Sequence, residues 1–267
     1  MSLFYFSPGN TTFCTKTRRI RMKMAITAVV AVLVTAGVMF FVMKTDRDHQ
    51  ARLAKQAVLV SMQKSVEKRL ADLSAQIESQ LESFADVVVA HKDFSLRILV
   101  ENDRSSPVVT EMAGQFLKPM GFSVLEITDS AWSILSSGHF PASAGNKSVL
   151  RGNASSGKVN TVVADILGTP TLTLQTERGF TIAGIVFHVT GGLTIDNALL
   201  ARLSPAPGVT VLLKNGGEYI GMDNIRSISA INDHQIIIND KKYPSAEIAV
   251  PSGEGGEKVS LIVVLMN

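Results

Sequence analysis

FSVLEITDSAWSILSSGH, residues 122–139, is where the apolar spacing of this chain changes from helical to strand-like. Residues 122–127 and 133–136 both have the short apolar pattern of strands with a buried face. Asp129 and Ser130 between them are typical turn residues. The stretch predicts a β-hairpin with helices before it and more strands after it, and therefore an α+β fold.

The segment before the hairpin predicts one long helix. Residues 46–90 contain no Pro or Gly and are rich in strong helix formers. Their apolar side chains recur with an eleven-residue repeat, which follows the axis of a nearly straight helix. Two interpretations stay open: the stripe packs on its own domain, or it pairs two helices in a homodimer. The candidate dimer seam is Met62, Val66, Leu70, Leu73, Ile77 and Leu81.

An unbroken apolar run, residues 24–43, precedes this helix. Rising about 1.5 Å per residue, it matches the roughly 30 Å core of a bilayer, so it predicts a transmembrane helix in membrane lipid. The segment before it is basic, with no acidic residue, and positive charge stays cytoplasmic. The residues that set this topology are Lys16, Arg18, Arg19, Arg21 and Lys23. The expected location is therefore a bacterial inner membrane, crossed once, with the C-terminal domain periplasmic or extracellular.

The alternative is a cleavable signal peptide, since residues 34–36 offer a possible cleavage site. The apolar run continues beyond that site to Met43, which favours an uncleaved anchor.

Charge and cysteine content limit the function of the exported part. Five of the 26 Lys and Arg lie in the tail, so 21 remain against 23 Asp and Glu. No basic stripe is left to bind phosphates, which argues against a nucleic-acid partner. Cys14 is the only cysteine. It lies on the predicted cytoplasmic side, so the exported part is expected to fold without disulfides.

The remaining segments alternate between strands and short helices. We predict helices at residues 107–118, 159–167 and 195–203, and a loop at 139–158. Glu177-Arg178-Gly179 is expected to separate two strands, and Gly191-Gly192 to end the second. The predicted strands are 171–176, 180–190, 209–213, 219–221, 235–238, 246–250 and 258–266, with residues 251–256 as the tip of the last hairpin.

This order of parts resembles the periplasmic double-Cache, PAS-like sensor regions of bacterial transmembrane receptors, most of all those of sensor histidine kinases. The likeness is carried by residues 122–139 and by residues 243–251 with the Gly-rich turn and strand that follow. It implies a transmembrane helix continuing into a long exported helix, followed by two Cache modules with antiparallel sheets. The implied parts are a cytoplasmic tail (1–23), membrane helix (24–43), signalling helix (44–92), membrane-distal module (93–205) and membrane-proximal module (206–267).

Three departures from the resemblance matter. Trp132 stands where the family's turn commonly has Gly, so either the turn is distorted or the indole packs. The aromatic and Arg cluster of the amino-acid-binding branch is missing. No second apolar span follows the sensor region, so we expect either a truncated receptor or one that signals through its anchor helix alone.

The sequence offers no catalytic constellation. His49 and His91 lack the context of a phosphoacceptor, and there is no phosphate-binding loop and no Gly-x-Ser-x-Gly. Dispersed histidines, His139, His188 and His234, have no paired metal-ligand spacing. We therefore expect no enzyme, no cofactor and no metal site.

A small-molecule cleft is the better hypothesis for the first module. Its candidate ligand-binding residues are Trp132, His139, Arg178 and His188. The competing interpretation is that His188 is a hydrogen-bonded core histidine and Trp132 a packing residue.

The resemblance implies a sensory input module of a two-component system that binds an unknown small molecule and transmits through the long helix. The alternative is a membrane-anchored structural or adaptor protein of the cell envelope with no small ligand. A third, weaker hypothesis is an anchored hydrolase.

Overall fold

The computed structural model describes residues 12–150, 159–221, 227–232, 234–251 and 258–266, with side chains from residue 33 onward except at 230–232. The chain divides into two compact units, Met1–Gln56 and Ala57–Asn267. Within the described ranges no helix has a segment long and apolar enough to cross a membrane. The side chains of the predicted basic tail and of residues 24–32 lie outside the described ones.

One helix, α1 (Thr12–Ala90), includes residues 46–90, so the predicted long helix is confirmed. In the second unit the predicted apolar stripe is buried, with Val66, Ile77, Leu81 and Val88 all at 0% exposure. The stripe recurs at helical spacing, so it forms one continuous face of the core.

The first sheet has five antiparallel strands in the order β2-β1-β5-β4-β3. The predicted hairpin at residues 122–139 is confirmed as β1 and β2. The strands are β1 (Val124–Asp129), β2 (Ile134–Ser137), β3 (Asn160–Ile166), β4 (Thr169–Ile182) and β5 (Ile185–Thr194).

Short helices connect α1 to this sheet. The predicted helix at residues 107–118 is present, although Glu111 divides it into two. The Ser136 hydroxyl holds both parts on β2, because it donates to the Thr110 carbonyl and accepts from the Ala113 N–H, each at 2.8 Å. The helical segments are α2 (Lys92–Ser95), a π-helical turn (Leu96–Val100), α3 (Pro107–Thr110) and α4 (Met112–Leu117).

The prediction of a helix at residues 159–167 is wrong, because this segment is β3. Thr161, Val162 and Val163 are β-branched and fit a pleated sheet better than a helix. Leu167 and Gly168 follow with φ of 52° and 85°. These left-handed residues make a tight hairpin turn into β4, and the pairing with β4 decides the structure of the segment.

The predicted break at residues 177–179 is also wrong. β4 runs through it, with Glu177 opposite Thr190 and Gly179 opposite His188. The chain turns instead at Ala183 and Gly184, whose φ values are 49° and 83°. A glycine inside a strand is thus no evidence for a turn when its partner strand continues.

Gly191 and Gly192 do not end a strand but lie inside β5. A Cβ on Gly191 would lie 2.8 Å from Leu81 Cδ1, and one on Gly192 would lie 2.4 Å from the Leu174 carbonyl oxygen. The two glycines therefore let α1 and β4 approach β5 closely.

The second sheet has six strands in the order β7-β6-β11-β10-β9-β8. The predicted strands of this region are present, but β8 was not predicted, and residues 252–257 of the predicted hairpin tip lie outside the described ones. Helix α5 (Asn197–Leu203) leads into the sheet and confirms the predicted helix there. The strands are β6 (Val209–Asn215), β7 (Glu218–Ile220), β8 (Ile228–Asn232), β9 (Gln235–Ile238), β10 (Lys241–Val250) and β11 (Val259–Leu265).

Both sheets share one hydrophobic core with the second-unit part of α1. Leu81 of the helix, Leu125 and Val189 of the first sheet, and Leu213 and Val263 of the second belong to the same buried cluster. Each sheet therefore has an inner face toward this core and an outer face made by the alternate residues.

Candidate ligand-binding site

The four predicted ligand-binding residues do not form one cluster. Trp132 and His188 stack with ring centroids 4.3 Å apart and planes 19° apart. Arg178 instead pairs with Glu82 of α1 at 2.6 Å, in an exposed position. His139 is buried, with Nδ1 3.3 Å from the Leu125 carbonyl oxygen, and burial lowers its pKa. The structure thus brings together only Trp132 and His188.

The stacked pair lies at the outer face of the first sheet. Glu126, Thr190 and Glu177 are direct partners across β1, β5 and β4, and Thr128 is the partner of His188 in the next row. Directly opposed residues share one face of a sheet. We call the following set the outer polar face: Glu126, Thr128, Gln175, Glu177, His188 and Thr190.

Glu126 is the most deeply buried carboxyl of this face, at 2% exposure. Burial raises its pKa to about 7, although the Ser148 hydroxyl opposes part of the rise. That hydroxyl donates to Glu126 Oε2 at 2.5 Å. The carboxyl can therefore change its charge near neutral pH when its surroundings change.

Glu177 shares the row and is 8% exposed. Its Oε1 lies 3.0 Å from His188 Nδ1. Burial raises the pKa of Glu177, while the charge and hydrogen bond of His188 lower it in part. The second carboxyl is thus held by the histidine on which Trp132 stacks.

Two polar atoms of the outer polar face have no hydrogen-bond partner: Thr128 Oγ1 and Gln175 Oε1. Thr173 Oγ1 donates to the Val162 carbonyl at 2.7 Å and must therefore accept from Gln175 Nε2, 2.5 Å away. In this arrangement the Gln175 amide oxygen has no hydrogen-bond donor. Since an unpaired buried polar group costs about 1–3 kcal/mol, two on one face call for a reason.

The β1–β2 turn carries the indole to this face. The Asp129 carboxylate accepts from the backbone N–H groups of Ala131 and Ser133, at 2.9 and 2.8 Å, and from Arg104, at 2.5 Å. Burial alone would raise the pKa of Asp129, but these donors outweigh it and the pKa is lowered. The Asp-led turn is thus held at both carboxylate oxygens.

Trp132 adopts a φ of 62°, in the left-handed region. This conformation costs a residue with a Cβ about 1–2 kcal/mol. Of the two sequence-based alternatives for Trp132, packing of the indole is the one observed, because the ring stacks on His188. Strain kept at a site with unpaired polar groups is typical of functional positions.

The loop after β2 covers one side of the face. Ser148 reaches Glu126, and Leu150 is buried with Val124, Val162 and Ala164. The outer polar face is therefore enclosed by apolar packing beside it, where electrostatic interactions are stronger than in water.

Local sequence patterns do not indicate Glu126, Thr128, Gln175 and Glu177 as site residues. Glu126 and Thr128 alternate with apolar residues, a pattern that is also typical of an exposed strand face, whereas the structure buries all six positions of β1. A carboxyl in such a strand indicates a buried polar site. The partners on β4 could not be assigned because the sequence does not give the strand register.

The predicted dimer seam is covered by the chain's own core. Val66, Leu73, Ile77 and Leu81 are buried in it, and Met62 and Leu70 pack against it. The stripe thus packs on its own domain, as one interpretation held. Pairing of two copies stays a prediction and would need other residues of α1.

A cleft of about 410 Å³ lies elsewhere in the second unit, between α1 and β10. Glu247, one of its polar lining residues, accepts from Ser260 at 2.5 Å and lies 3.6 Å from Lys214. No unpartnered buried atom among the described residues belongs to its lining. The outer polar face is therefore the stronger candidate site.

Across the described residues, no group of three or more His, Cys, Asp or Glu side chains is arranged to hold a metal ion. The chemistry of the outer polar face is that of hydrogen-bond acceptors and carboxyl groups around an aromatic ring.

The architecture, a long helix beside two antiparallel sheets, is similar to that of solved periplasmic sensor domains. The chain is similar to the periplasmic domain of Vibrio cholerae LuxQ, with a TM-score of 0.50 and 14% identity over 78% of this chain and 100% of that domain. At this identity the likeness concerns the fold. It confirms the predicted resemblance to periplasmic Cache-like sensor regions.

Two other solved structures are similar at lower scores. The sensor domain of the V. cholerae histidine kinase DctB has a TM-score of 0.47 at 9% identity, covering 78% of this chain and 97% of that one. The ligand-binding domain of the Campylobacter jejuni chemoreceptor Tlp3, in complex with 4-methylisoleucine, has a TM-score of 0.49 at 10% identity, covering 77% and 89%. No family model and no curated protein matches the sequence.

Proposed function

We propose that this chain is the extracytoplasmic sensory input module of a membrane-bound receptor of the sensor histidine kinase type. It binds a small solute at the outer polar face and performs no catalysis itself. The observation that carries the proposal is the pair of unpartnered buried atoms, Thr128 Oγ1 and Gln175 Oε1, beside the strained Trp132. A ligand that supplies their hydrogen bonds would remove the cost of leaving them unpaired.

Two contacts support transmission from this face to α1. Arg178 follows Glu177 in β4 and pairs with Glu82 of the helix at 2.6 Å. Gly191 follows Thr190 in β5, and a Cβ there would lie 2.8 Å from Leu81 Cδ1. Each strand thus has one residue on the site and the next one on α1. A ligand that binds one arrangement of these strands more tightly also favours the arrangement of α1 that goes with it. The coupling free energy of such effects is typically about 1–3 kcal/mol.

We also propose that the first unit anchors the chain in the inner membrane, with the basic tail cytoplasmic. Eight large apolar side chains of α1 between Leu33 and Met43 are exposed, at 57–73%. A continuous apolar surface of this kind is typical of a segment that contacts lipid or a partner. The tail adds the positive charge that keeps it inside the cell.

Cys14, the only cysteine, tests this topology directly. In intact spheroplasts, a membrane-impermeant maleimide is expected to leave Cys14 unlabelled until the membrane is permeabilised. The matched variant carries Cys14→Ser and Val163→Cys, because Val163 is 55% exposed in the second unit. This variant is expected to be labelled without permeabilisation. Labelling of Cys14 but not of Cys at position 163 in intact spheroplasts would contradict the proposed orientation.

Solute binding is tested with the full chain in detergent. Trp132 is the only tryptophan, so its fluorescence reports on the site while thermal unfolding is followed against a metabolite library. A ligand that binds the folded state raises Tm. We expect one compound class to do so, with the rise reduced in Thr128→Val, which keeps the side-chain shape. If no class raises Tm, the alternative of a structural or adaptor protein takes its place.

A further inference from the structure

We infer that the outer polar face binds a primary ammonium group, so that the solute is a small cationic amine. This inference deepens the proposed function, since it names the ligand class of the same site. It rests on the arrangement of carboxyl groups and free acceptors on three adjacent strands.

The two carboxyl groups of the face are in one cross-strand row. Glu126 and Glu177 both lie opposite Thr190 of the strand between them. Strands are spaced about 4.8 Å apart, so the two backbone positions are about 10 Å apart. A small cation above Thr190 can contact both. Both residues are almost fully buried, at 2% and 8% exposure, where a carboxylate needs a cation or donors to offset its desolvation.

The unpartnered atoms favour the same chemistry. Gln175 Oε1 is an acceptor that requires an N–H or O–H donor, and Thr128 Oγ1 can accept as well. The two residues are 0% and 1% exposed. A primary ammonium supplies three donors, whereas a quaternary ammonium supplies none. A carboxylate or phosphate ligand would place its own acceptor oxygens beside the acceptor oxygens of this face, where they could not form hydrogen bonds with each other.

The cationic side chains that the structure describes beside the β1–β2 turn already have polar partners. Arg104 pairs with Asp129 at 2.5 Å. Lys147 Nζ donates to the Ala131 carbonyl at 2.5 Å and to the Ser133 hydroxyl at 3.1 Å. His188 faces Glu177 through Nδ1. Of the two carboxyl groups of the outer polar face, Glu177 therefore has His188 as its partner, whereas Glu126 has the Ser148 hydroxyl and no cation among the described residues.

Burial raises the pKa of Glu126 to about 7, and an ammonium beside it would lower that pKa again. The pKa shift thus fits a site that acquires its counter-charge from a ligand.

Four small hydroxylated probes separate the chemistry: ethanolamine, ethylene glycol, glycolate and the bulkier choline. They carry a primary ammonium, no charge, a negative charge and a quaternary ammonium. With the full chain in detergent, ethanolamine is expected to change Trp132 fluorescence saturably and to raise Tm. The other three are expected to bind at least about tenfold more weakly, because each loses a charge-assisted hydrogen bond.

Variants assign the response to the face. Glu126→Gln and Glu177→Gln are each expected to weaken ethanolamine binding about tenfold to a hundredfold. The matched control is Glu247→Gln, which changes a carboxyl with a similar serine hydrogen bond on the second sheet and is expected to change nothing. The inference is overturned if ethylene glycol or glycolate acts as strongly as ethanolamine, if ethanolamine binding survives Glu126→Gln, or if millimolar ethanolamine gives no response.

The two proposals fail separately. An uncharged or anionic compound that raises Tm in the metabolite screen, and acts less on Thr128→Val, would overturn the ligand class and keep the sensory function. A screen with no active compound would overturn both.

Discussion

Each sheet has a glutamate that accepts a hydrogen bond from a serine, but the surroundings of the two glutamates are opposite. Ser148 donates to Glu126 and Ser260 to Glu247, both at 2.5 Å. Glu126 is 2% exposed, while the Glu247 side chain is 37% exposed and lies 3.6 Å from Lys214. Burial raises the pKa of Glu126 to about 7. The comparison shows that the enclosure of the carboxyl, and not its hydrogen bond, makes the first sheet the candidate site.

The other residues of the two outer faces also differ in polarity. The second sheet fills much of its outer face with a hydrophobic cluster, whose buried members are Leu212, Ile236, Ile238, Ile262 and Val264. The first sheet has carboxyl, amide and hydroxyl groups there, two of them with unpartnered atoms. A packed apolar face stabilises a module by itself, whereas a buried polar face is stable only when its groups find partners.

The largest effect is expected where the first sheet is packed most closely. Gly192→Ala would place a Cβ 2.4 Å from the Leu174 carbonyl oxygen and 2.7 Å from Gln175 Cγ. Because a backbone atom cannot yield cheaply, we expect a loss of about 3 kcal/mol or more in the free energy of unfolding. Urea unfolding measures it.

Gly114→Ala is the control for this substitution, since a Cβ there meets nothing within 4 Å. Alanine should stabilise that helix by about 0.5–1 kcal/mol. Equal effects of the two substitutions would show that the close packing around Gly192 is wrong.

The next largest effect is the pH dependence of stability, in which Glu126 and Glu247 are compared. Because the folded-state pKa of Glu126 is raised from 4.5 to about 7, the folded state keeps its proton while the unfolded state loses it. Stability contributed by this group is full below pH 4.5, falls between pH 4.5 and about 7, and is constant above. Glu126→Gln should therefore stabilise the protein by up to about 3 kcal/mol at pH 8 and much less at pH 4. Urea unfolding across this pH range is the measurement.

Glu247→Gln is the matched control, because that carboxyl is partly exposed and lies 3.6 Å from Lys214. If the two substitutions had the same pH profile, the contrast between the sheets would be lost.

A smaller effect is expected at Trp132. Trp132→Gly removes both the left-handed strain and the stacking on His188, whereas Trp132→Ala removes the stacking and keeps a Cβ at φ 62°. The glycine variant should be more stable than the alanine variant by about 1 kcal/mol. Thermal unfolding followed by circular dichroism compares the two. An alanine variant as stable as the glycine variant would contradict strain at this position.

The smallest effects concern the exposed ion pairs. Arg178→Ala on the first sheet and Lys214→Ala on the second should each change stability by less than about 1 kcal/mol, with the change screened by salt. Unfolding at low and high ionic strength tests this. A large loss at Arg178 would mean that its contact with Glu82 supports the fold as well as the proposed transmission.

Local patterns in the sequence were sufficient for the long helix, the first hairpin and most strands of the second sheet. These elements rest on helical spacing, on strand alternation and on turn residues such as Asp129. β3 was misassigned because its β-branched residues become a strand only by pairing with β4. The uninterrupted course of β4 through Gly179 depends likewise on β5.

The site was predicted only in part for the same reason. Trp132 and His188 were identified from their residue types, and the structure brings them together. Glu126 and Glu177 become neighbours of Thr190 through a register that joins distant segments. His139 and Arg178 were chemically suitable, but one is satisfied in the core and the other faces α1. Residue type alone did not reveal which face of a strand each side chain occupies.

Hydrogen exchange of the full chain, followed by mass spectrometry with and without ethanolamine, tests the contrast between the two sheets most directly. We predict slower exchange in β1, β4 and β5, which carry the outer polar face, and unchanged exchange in β6, β9 and β11. Protection confined to the second sheet, or to the cleft beside β10, would contradict the assignment of the site to the first sheet.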